Sequence, residues 1–289
     1  MTAGYALVTP ARNERANLER LADAVLAQTL PPAHWIVVDD GSDDGTAELL
    51  RGLEAQHAWI QVVDTGGSGE QLERGRRTGR ALDAFRHGVS ALPGPVEVVA
   101  KVDADTSFAP EYFASLLDRF RADPRLGIAG GACYELVDGA WQRQRVAATH
   151  PRGASRAYRW PCLEEVMTLE SRMGWDGLDE VKANMRGYRS QTFLDLGFRH
   201  HRPTGARERN RFGHNAAQGT AAWYMGYRPT YLFLRTIYRA LRDPAALGMA
   251  WGYLVAAARR DARCPEHDVV RSLREGQRLR TVLRIGAPP

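Results

Sequence analysis

Two aspartates stand one residue apart where an apolar segment of the chain ends. The segment runs from Val96 to Val102, and Asp103 and Asp105 follow it. Because side chains alternate along a strand, residues i and i+2 lie on the same side. Two carboxylates held that close repel each other unless a cation lies beside them, and Mg²⁺ and Mn²⁺ prefer such oxygen ligands. The pair therefore indicates a divalent-cation site, and the alternative is a pair of solvated turn aspartates.

Two more polar segments follow apolar runs earlier in the chain. Residues 9–14 read Thr-Pro-Ala-Arg-Asn-Glu, and residues 38–46 read Val-Asp-Asp-Gly-Ser-Asp-Asp-Gly-Thr. Open α/β sheets bind ligands at the carboxyl ends of their strands, where a carboxylate can accept from a nucleobase N–H or a ribose hydroxyl. The three segments together predict a nucleotide site at one sheet edge. Taken alone, residues 39–44 could equally be an acidic turn that caps a helix.

The elements that must position these segments alternate between strand and helix. Apolar runs predict strands, and stripes of apolar residues at helical spacing predict helices. The predicted strands are 5–9, 35–38, 59–63, 96–102 and 126–134, and the predicted helices are 16–28, 46–53, 81–89 and 110–121. This order favours an α/β fold with a mostly parallel sheet and right-handed crossovers. Farther along, we predict a helix near 157–169 and another that ends at Arg186.

The composition is that of an ordinary globular protein. Of 289 residues, 44% are hydrophobic and 25% are charged, which suits one large domain or two small ones. No run of about 18 apolar residues occurs, so we expect no transmembrane helix. We also expect no signal peptide, and three widely spaced cysteines fit a cytoplasmic location. The net charge of +5 suits an acidic ligand, and no nucleic-acid-binding signature accompanies it.

Together the polar segments closely resemble the family 2 glycosyltransferases with the GT-A fold. The family's Pro-x-x-Asn-Glu corresponds to Pro10–Glu14, its Val-Asp-Asp-Gly-Ser-x-Asp-Gly-Thr to Val38–Thr46, and its Asp-x-Asp to Asp103–Asp105. The resemblance covers roughly residues 5–200, and the second segment matches at every defined position. It implies a GT-A catalytic domain over residues 1–206, with a nucleotide-binding half to about 105 and an acceptor half from about 106. Residues 207–289 would form a helical C-terminal extension.

The resemblance also implies roles for the donor-site residues. Asp103 would lie near the ribose and the metal, and Asp105 would coordinate the cation that bridges the diphosphate. Asp40, or Asp39, would accept from the base. The residues expected to border the nucleotide or its phosphates are Pro10, Arg12, Glu14, Arg80 and Arg202. The implied cofactor is Mn²⁺ or Mg²⁺, and the implied donor is a nucleotide-diphosphate sugar.

Two later segments complete the predicted site. The family's catalytic base belongs to an acidic pair at a helix start, and here the pair is Asp179-Glu180, of which we favour Asp179. Both could instead be carboxylates favoured by the helix dipole. His200 or His201 resembles the histidine that closes the donor site and would be a third metal ligand, although a surface position is the alternative.

The reaction implied is an inverting transfer of a sugar to a hydroxyl group of a saccharide or lipid-linked acceptor, in polysaccharide or glycolipid synthesis. The competing hypotheses are a non-catalytic nucleotide-sugar-binding or scaffold protein and a sugar-nucleotide pyrophosphorylase. The basic, aromatic segments after Arg207 could rest on an anionic membrane at its inner face. Alternatively, they could pack on the catalytic domain or form a homodimer interface.

Overall fold

A computed structural model describes residues 2–65, 76–144, 147–202 and 210–278. The first half contains the following elements in chain order: β1 (Thr2–Ala11), α1 (Arg15–Leu26), β2 (His34–Asp39), α2 (Thr46–Gln56), β3 (Ile60–Asp64), α3 (Arg76–Ser90), β4 (Val96–Val102), β5 (Thr106–Phe108) and α4 (Tyr112–Ala122). The second half contains β6 (Leu126–Val137), β7 (Ala140–Arg143), β8 (Ser155–Arg159), α5 (Trp160–Val166), α6 (Trp175–Met185), β9 (Arg189–His200), α7 (Arg211–Tyr224), α8 (Pro229–Ala240), α9 (Leu247–Arg259) and α10 (His267–Gly276).

The strands form one mixed sheet in the order β3-β2-β1-β4-β8-β6-β9-β5, with β7 paired to β6. Strands β1 to β4 are mutually parallel, as the alternation of strands and helices predicts. Strand β8 runs antiparallel between β4 and β6, and β6 is parallel to β9. The predicted α/β fold with a mostly parallel sheet is therefore confirmed, and the antiparallel strands lie in the half that follows Asp105.

Helices cover both faces of this sheet. Along β1, Tyr5 and Leu7 point to one face and Ala6 and Val8 to the other, as the two-residue period of a strand requires. Helices α1, α2 and α4 bury their apolar stripes on the first face. Helices α3, α5 and α6 do so on the second face. Because both faces are covered, the parallel strands can be apolar throughout.

The helix predicted near residues 157–169 is wrong in its first part. Strand β8 occupies Ser155–Arg159, and α5 begins only at Trp160, with Pro161 in its first turn. Proline is favoured there because the first N–H groups of a helix have no partner within the helix. Residues 155–159 are drawn into the sheet by β4, since Ala100 pairs with Ala157 and Val98 with Arg159. Pairing over long sequence separation therefore overrides the local helical pattern.

Helices α7 to α10 follow the last strand and pack on the rest of the molecule. Helices α7 and α9 cross so closely that a Cβ at Gly252 would stand only 1.9 Å from the Ala216 carbonyl oxygen. Val269 of α10 shares the second core with Leu178 of α6. Among the helices described, none combines the length and the apolar character that crossing a bilayer requires.

Candidate active site

The two aspartates that end β4 are held by backbone hydrogen bonds from two other elements. The Asp103 amide donates to the Ala154 carbonyl at 2.9 Å, just ahead of β8. The Asp105 carbonyl accepts from the His201 amide at 2.8 Å, just past β9. Residues next to β8 and β9, two strands that the sequence patterns did not predict, therefore fix the aspartate loop on both sides.

Asp105 and His200 provide a pair of ligand atoms for a divalent cation. Asp105 Oδ1 lies 3.2 Å from His200 Nε2. Adjacent ligands of an octahedral ion bound at about 2.1 Å stand about 3 Å apart, so both atoms could bind the same ion. On the far side of the ring, His200 Nδ1 lies 3.3 Å from Glu135 Oε1, and a carboxylate in that position orients a ligating histidine. The donor set therefore fits Mn²⁺ or Mg²⁺.

The protonation of His200 depends on the same neighbours. Burial alone would lower the pKa of His200, but hydrogen bonds with Asp105, Cys133 and Glu135 outweigh it and raise the pKa to about 11. Because a ligating imidazole must be neutral, metal binding at Nε2 would displace a proton.

His201 faces away from this pair. Its Nε2 lies 2.8 Å from the Ser107 hydroxyl, and its ring packs edge-on against Trp141 with 5.2 Å between centroids. Burial and the nearby Arg20 and Arg199 lower the pKa of His201. The geometry thus favours His200 over His201 as the ligand, an alternative that the sequence left open.

An ion pair between Glu14 and Arg202 joins the segment after β1 to the segment after β9. Arg202 donates to both carboxylate oxygens of Glu14, at 2.9 and 2.6 Å, and its Nη1 lies 3.5 Å from Asp105 Oδ2. Burial raises the pKa of Glu14, and hydrogen bonds with Asn17 and Arg202 partly offset this effect. Glu14 is buried and positions Arg202, while the guanidinium itself sits beside Asp105, where a diphosphate could reach it.

The aspartates after β2 have different surroundings. Asp39 is buried, and its Oδ1 accepts from the Ser42 amide at 3.1 Å and from the Ser42 hydroxyl at 2.6 Å, which closes the turn. Asp40 Oδ2 instead lies 3.7 Å from Arg12 and 3.6 Å from Arg80. Asp40 is therefore the more available of the two for a nucleobase, with two arginines beside it. Pro10 lies on β1 at the same sheet edge.

Asp103 is neutralised by a buried lysine. Lys101 Nζ donates to Asp103 Oδ1 and, at 2.9 Å, to the Gly153 carbonyl. Lys101 is 2% exposed, whereas the Asp103 side chain is 35% exposed. Lys101 thus ties the first aspartate to the loop before β8 and leaves its carboxylate facing the cleft.

The predicted base Asp179 is enclosed. Its side chain has no exposed surface, and its oxygens accept from Arg156 at 3.0 and 2.7 Å and from the Tyr158 hydroxyl at 2.7 Å. Burial raises the pKa of Asp179 to about 6 even though Arg156 acts in the opposite direction. In this arrangement the Asp179 carboxylate has no surface open to an acceptor hydroxyl, so its assignment as the base stays a prediction that this geometry does not favour. The position of Asp179 in an acidic pair near a helix start does not predict that Tyr158 and Arg156 enclose it.

Glu180 is also engaged by cationic partners. Its Oε1 accepts from Arg156 Nη2 at 2.8 Å and lies 2.9 Å from His150 Nδ1. Burial would lower the pKa of His150, but the hydrogen bond with Glu180 outweighs it and raises the pKa. Both members of the predicted acidic pair therefore accept hydrogen bonds from Arg156.

Sequence reasoning missed a third carboxylate on the same helix, Asp176. It lies in the first turn of α6 and is half-buried. A Cβ at Gly153 would stand 3.6 Å from Asp176 Oδ2, and the Gly153 carbonyl is the one that Lys101 holds. Gly153 thus lies between Asp176 and the Lys101–Asp103 ion pair. The signal in the sequence was Gly174-Trp-Asp-Gly, which places a carboxylate two residues after a glycine N-cap with positive φ, in the first helical turn.

The structure therefore groups the candidate residues into three neighbouring clusters. The nucleoside cluster contains Asp40, Arg12 and Arg80, and the cation cluster contains Asp105, His200 and Arg202. The acceptor cluster, on α6, contains Asp176, Asp179 and Glu180. Such an arrangement can bind a nucleotide diphosphate with a cation and can place a base beside it.

A comparison with protein families identifies the family of this chain. Residues 6–166, more than half of the chain, match the model of the family described as glycosyl transferase family 2. The chain belongs to this family. The matched region includes both the Asp39–Asp40 and the Asp103–Asp105 segments.

The curated relatives of this chain are matched over only part of their own length. The chain is 30% identical over 185 residues to the polyprenol monophosphomannose synthase of Mycolicibacterium smegmatis, covering 55% of this chain and 63% of the relative. It is 25% identical over 167 residues to glycosyltransferase AglE of Haloferax volcanii, covering 57% of this chain and 46% of the relative. The chain thus spans about half to two thirds of these relatives.

Solved structures share the fold of this family 2 chain. The mannosyltransferase PcManGT from Pyrobaculum calidifontis, in complex with GDP-Man and Mn²⁺, superposes with a TM-score of 0.56 at 17% identity, covering 97% of this chain and 84% of that one. S. aureus TarS 1–349 in complex with UDP-GlcNAc gives 0.56 at 15% identity, covering 76% and 65%. The GT-A fold expected from the sequence is confirmed.

Proposed function

We propose that this chain is a metal-dependent, inverting glycosyltransferase that moves a sugar from a nucleotide-diphosphate donor to a hydroxyl acceptor. The observation that carries the proposal is the cation cluster, in which Asp105 and His200 offer ligand atoms 3.2 Å apart beside the Arg202 guanidinium. The structural neighbours named above were solved with nucleotide sugars, one of them with Mn²⁺, which supports this class of donor. The name of the M. smegmatis relative supports a lipid-linked acceptor.

In the proposed reaction, each cluster has a separate task. Asp40 accepts from the nucleobase, and Arg12 and Arg80 stand beside it. Asp105 and His200 hold the cation, and Asp103 faces the ribose. When bound, the cation supplies positive charge against the diphosphate, and Arg202 adds a guanidinium that can pair with phosphate oxygens. Charge that develops on the leaving diphosphate is therefore stabilised by groups already in place.

We assign the general base to Asp176. Its carboxylate is half-buried at the start of α6, while Asp179 has no exposed surface. The Arg156 guanidinium donates to the Asp176 carbonyl at 2.9 Å, which fixes the first turn of the helix. A carboxylate there can take the proton of an acceptor hydroxyl while the carboxylates at 179 and 180 remain bound to Arg156.

Substitution of Asp105 tests the proposal. We expect wild-type protein to release nucleotide from a member of a donor panel with Mn²⁺, and D105N to lose about a thousandfold in rate because it removes a charged ligand. Calorimetric Mn²⁺ binding in the presence of nucleoside diphosphate should weaken in parallel. D118N is the matched control, because the Asp118 side chain is 76% exposed on α4. Full activity of folded D105N contradicts the assignment.

A non-catalytic nucleotide-sugar-binding protein is the second candidate. Glu180 and Asp179 already have Arg156 as a partner, so a purely structural role accounts for both. The same donor panel separates the two functions. Saturable donor binding without nucleotide release, across all donors and with added acceptors, would identify a binder.

We also propose that α8 and α9 dock on an anionic lipid bilayer, at the cytoplasmic leaflet. Exposed apolar residues recur at helical spacing: Leu234, Ile237 and Tyr238 on α8, Leu241 directly after it, and Leu247, Trp251 and Leu254 on α9. Residues 228–263 contain seven arginines and two aspartates, a net charge of +5 that equals that of the whole chain. An isologous dimer would place this charge against itself, whereas anionic headgroups complement it.

A further inference from the structure

A cysteine and a glutamate stand beside His200, on the side of its ring that faces away from Asp105. One ligand atom from each of Cys133, Glu135 and His200 lies within 4.8 Å of the other two. Cys133 has no exposed surface, Glu135 is buried, and the His200 side chain is 12% exposed. We call these three residues the thiol cluster.

The sheet fixes the relative positions of the three residues. Cys133 and Glu135 stand two positions apart on β6, so their side chains point to the same face. Glu135 is directly opposite His200 in the register of β6 and β9. Groups carried by strands are held more precisely than groups carried by loops. The thiol cluster is therefore assembled by the fold before any ligand arrives.

The donor set of the thiol cluster suits a different class of ion from that of the cation cluster. Zn²⁺ and softer ions such as Cd²⁺ bind thiolate together with imidazole and carboxylate, whereas Mg²⁺ and Mn²⁺ prefer oxygen. Ligand atoms of a tetrahedral zinc ion stand about 3.5 Å apart, because the bonds are about 2.0–2.3 Å long. Closing on such an ion therefore requires the three atoms to approach by roughly 1 Å. The Cys133 sulfur would bind as thiolate and release its proton to solvent.

The other contacts of Glu135 are compatible with a bound ion. Glu135 Oε1 lies 3.5 Å from Arg152 Nη2. A carboxylate has two oxygens with several lone pairs, so it can pair with arginine and bind a cation at the same time. The thiol cluster thus needs no contact of Glu135 to be given up.

His200 offers one ring nitrogen to each of two sites. Its Nδ1 lies 3.3 Å from Glu135 Oε1, and its Nε2 lies 3.2 Å from Asp105 Oδ1. A neutral imidazole has a free lone pair on one nitrogen and a proton on the other. An ion bound at Nδ1 therefore leaves a proton on Nε2, and the cation cluster loses its histidine ligand.

We propose that the thiol cluster is a regulatory site for thiophilic cations, at which Zn²⁺ or a similar ion takes His200 from the cation cluster and stops glycosyl transfer. The observation that carries the proposal is a thiol, a carboxylate and an imidazole within 4.8 Å of one another, with the imidazole shared by the cation cluster. The regulatory consequence rests on the proposed function, whereas the binding of a soft cation does not.

Cadmium absorbance tests the site without turnover. The full chain, with its cysteines reduced, is titrated with Cd²⁺ while the thiolate-to-cadmium charge-transfer band in the ultraviolet is followed. We expect the band to saturate at equal amounts of ion and chain. C133S should lose the band, and E135Q should keep it with about tenfold weaker binding. C264S removes another buried cysteine and should bind as wild type does.

Displacement of Mn²⁺ tests the consequence for the cation cluster. Electron paramagnetic resonance reports free Mn²⁺ in a mixture of the full chain, Mn²⁺ and UDP or GDP. We expect Zn²⁺ to release bound Mn²⁺ from the wild type, and C133S to need at least about tenfold more Zn²⁺ for the same release.

Three outcomes overturn the inference: no charge-transfer band, a band that survives in folded C133S, or release of Mn²⁺ from wild type and C133S by the same amount of Zn²⁺. The last result would show that Zn²⁺ enters the cation cluster directly. If C133S does not fold, unchanged Cd²⁺ affinity in E135Q contradicts the site. Intact Cd²⁺ binding in a chain that transfers no sugar from any donor would instead contradict the proposed function alone.

Discussion

At the scale of single residues, the roles of similar carboxylates are set by their partners. Asp179 is enclosed by Arg156 and Tyr158, whereas Asp176, one turn earlier, is half-buried beside Gly153. Arg156 has no exposed surface and contacts both carboxylates of the 179–180 pair. Removing one partner of a buried ion pair leaves the other uncompensated, which typically costs about 3–5 kcal/mol.

Substitutions on α6 should therefore separate catalysis from stability. We expect D176N to lower the transfer rate by about 10²–10⁴ with little change in stability, because it removes a base from the acceptor side. D179N should lower the free energy of unfolding by about 3 kcal/mol, because Arg156 loses its buried partner. Saturating-substrate kinetics and urea unfolding measure the two effects.

E180Q is the control for the loss of stability in D179N, since Arg156 keeps its buried partner Asp179 in that variant. A stable D179N that loses all transfer, together with an active D176N, would return the role of base to Asp179.

At the scale of elements, the crossing of α7 and α9 depends on glycine. A Cβ at Gly219 would stand 1.9 Å from the Met249 carbonyl oxygen, and one at Gly252 would stand 1.9 Å from that of Ala216. These contacts are with backbone atoms, which cannot rotate away. The helices can approach this closely only because neither position carries a side chain. Since α8 packs against α9, the crossing also supports α8.

Two glycine-to-alanine variants with opposite effects test this packing. G252A should destabilise the protein by about 3 kcal/mol or more, because a methyl group overlaps a carbonyl of the neighbouring helix. G52A, in α2, has no atom within 4 Å of the new Cβ, so it should stabilise by about 0.5–1 kcal/mol through helix propensity. Thermal unfolding shows whether each variant is more or less stable than the wild type. Unchanged stability of G252A would mean that α7 and α9 can move apart.

At the scale of the whole molecule, positive charge and exposed apolar surface coincide on α8 and α9. Leu241 is 81% exposed, and Trp251 and Ile237 are each 58% exposed. Arg242, Arg259, Arg260 and Arg263 are exposed on the same segment. Leucine and tryptophan can enter the headgroup region while arginines contact anionic lipids. An acceptor attached to lipid would then meet the cleft through α8.

Vesicle sedimentation tests the docking surface. We expect the full chain to bind vesicles that contain phosphatidylglycerol, to bind pure phosphatidylcholine weakly, and to dissociate as salt rises. I237S/W251S should lose most of this binding, while L26S/L194S, which removes exposed leucines from α1 and β9, should keep it. Concentration-dependent dimerisation that I237S/W251S abolishes, without vesicle binding, would show that a second copy covers the surface.

The chain order of strands and helices was readable from the sequence in the first half, because parallel strands buried on both faces are continuously apolar. The strand at residues 155–159 could not be predicted from the sequence, since it depends on pairing with β4. The polar segments at strand ends were readable for the related reason that strand ends in such a sheet meet at one edge. The preference for His200 over His201 became visible only through Glu135 and Ser107, which are distant in sequence.

The sequence by itself therefore determined the family, the sheet and the segments that form the donor site, because these depend on local pattern and motif. Only the tertiary structure decided that Asp179 is enclosed while Asp176 stays partly exposed, since the enclosure of Asp179 by Arg156 and Tyr158 depends on β8. It also paired Arg202 with Glu14, which stand 188 positions apart in the chain. Contacts of that range are made by packing, which no local pattern records.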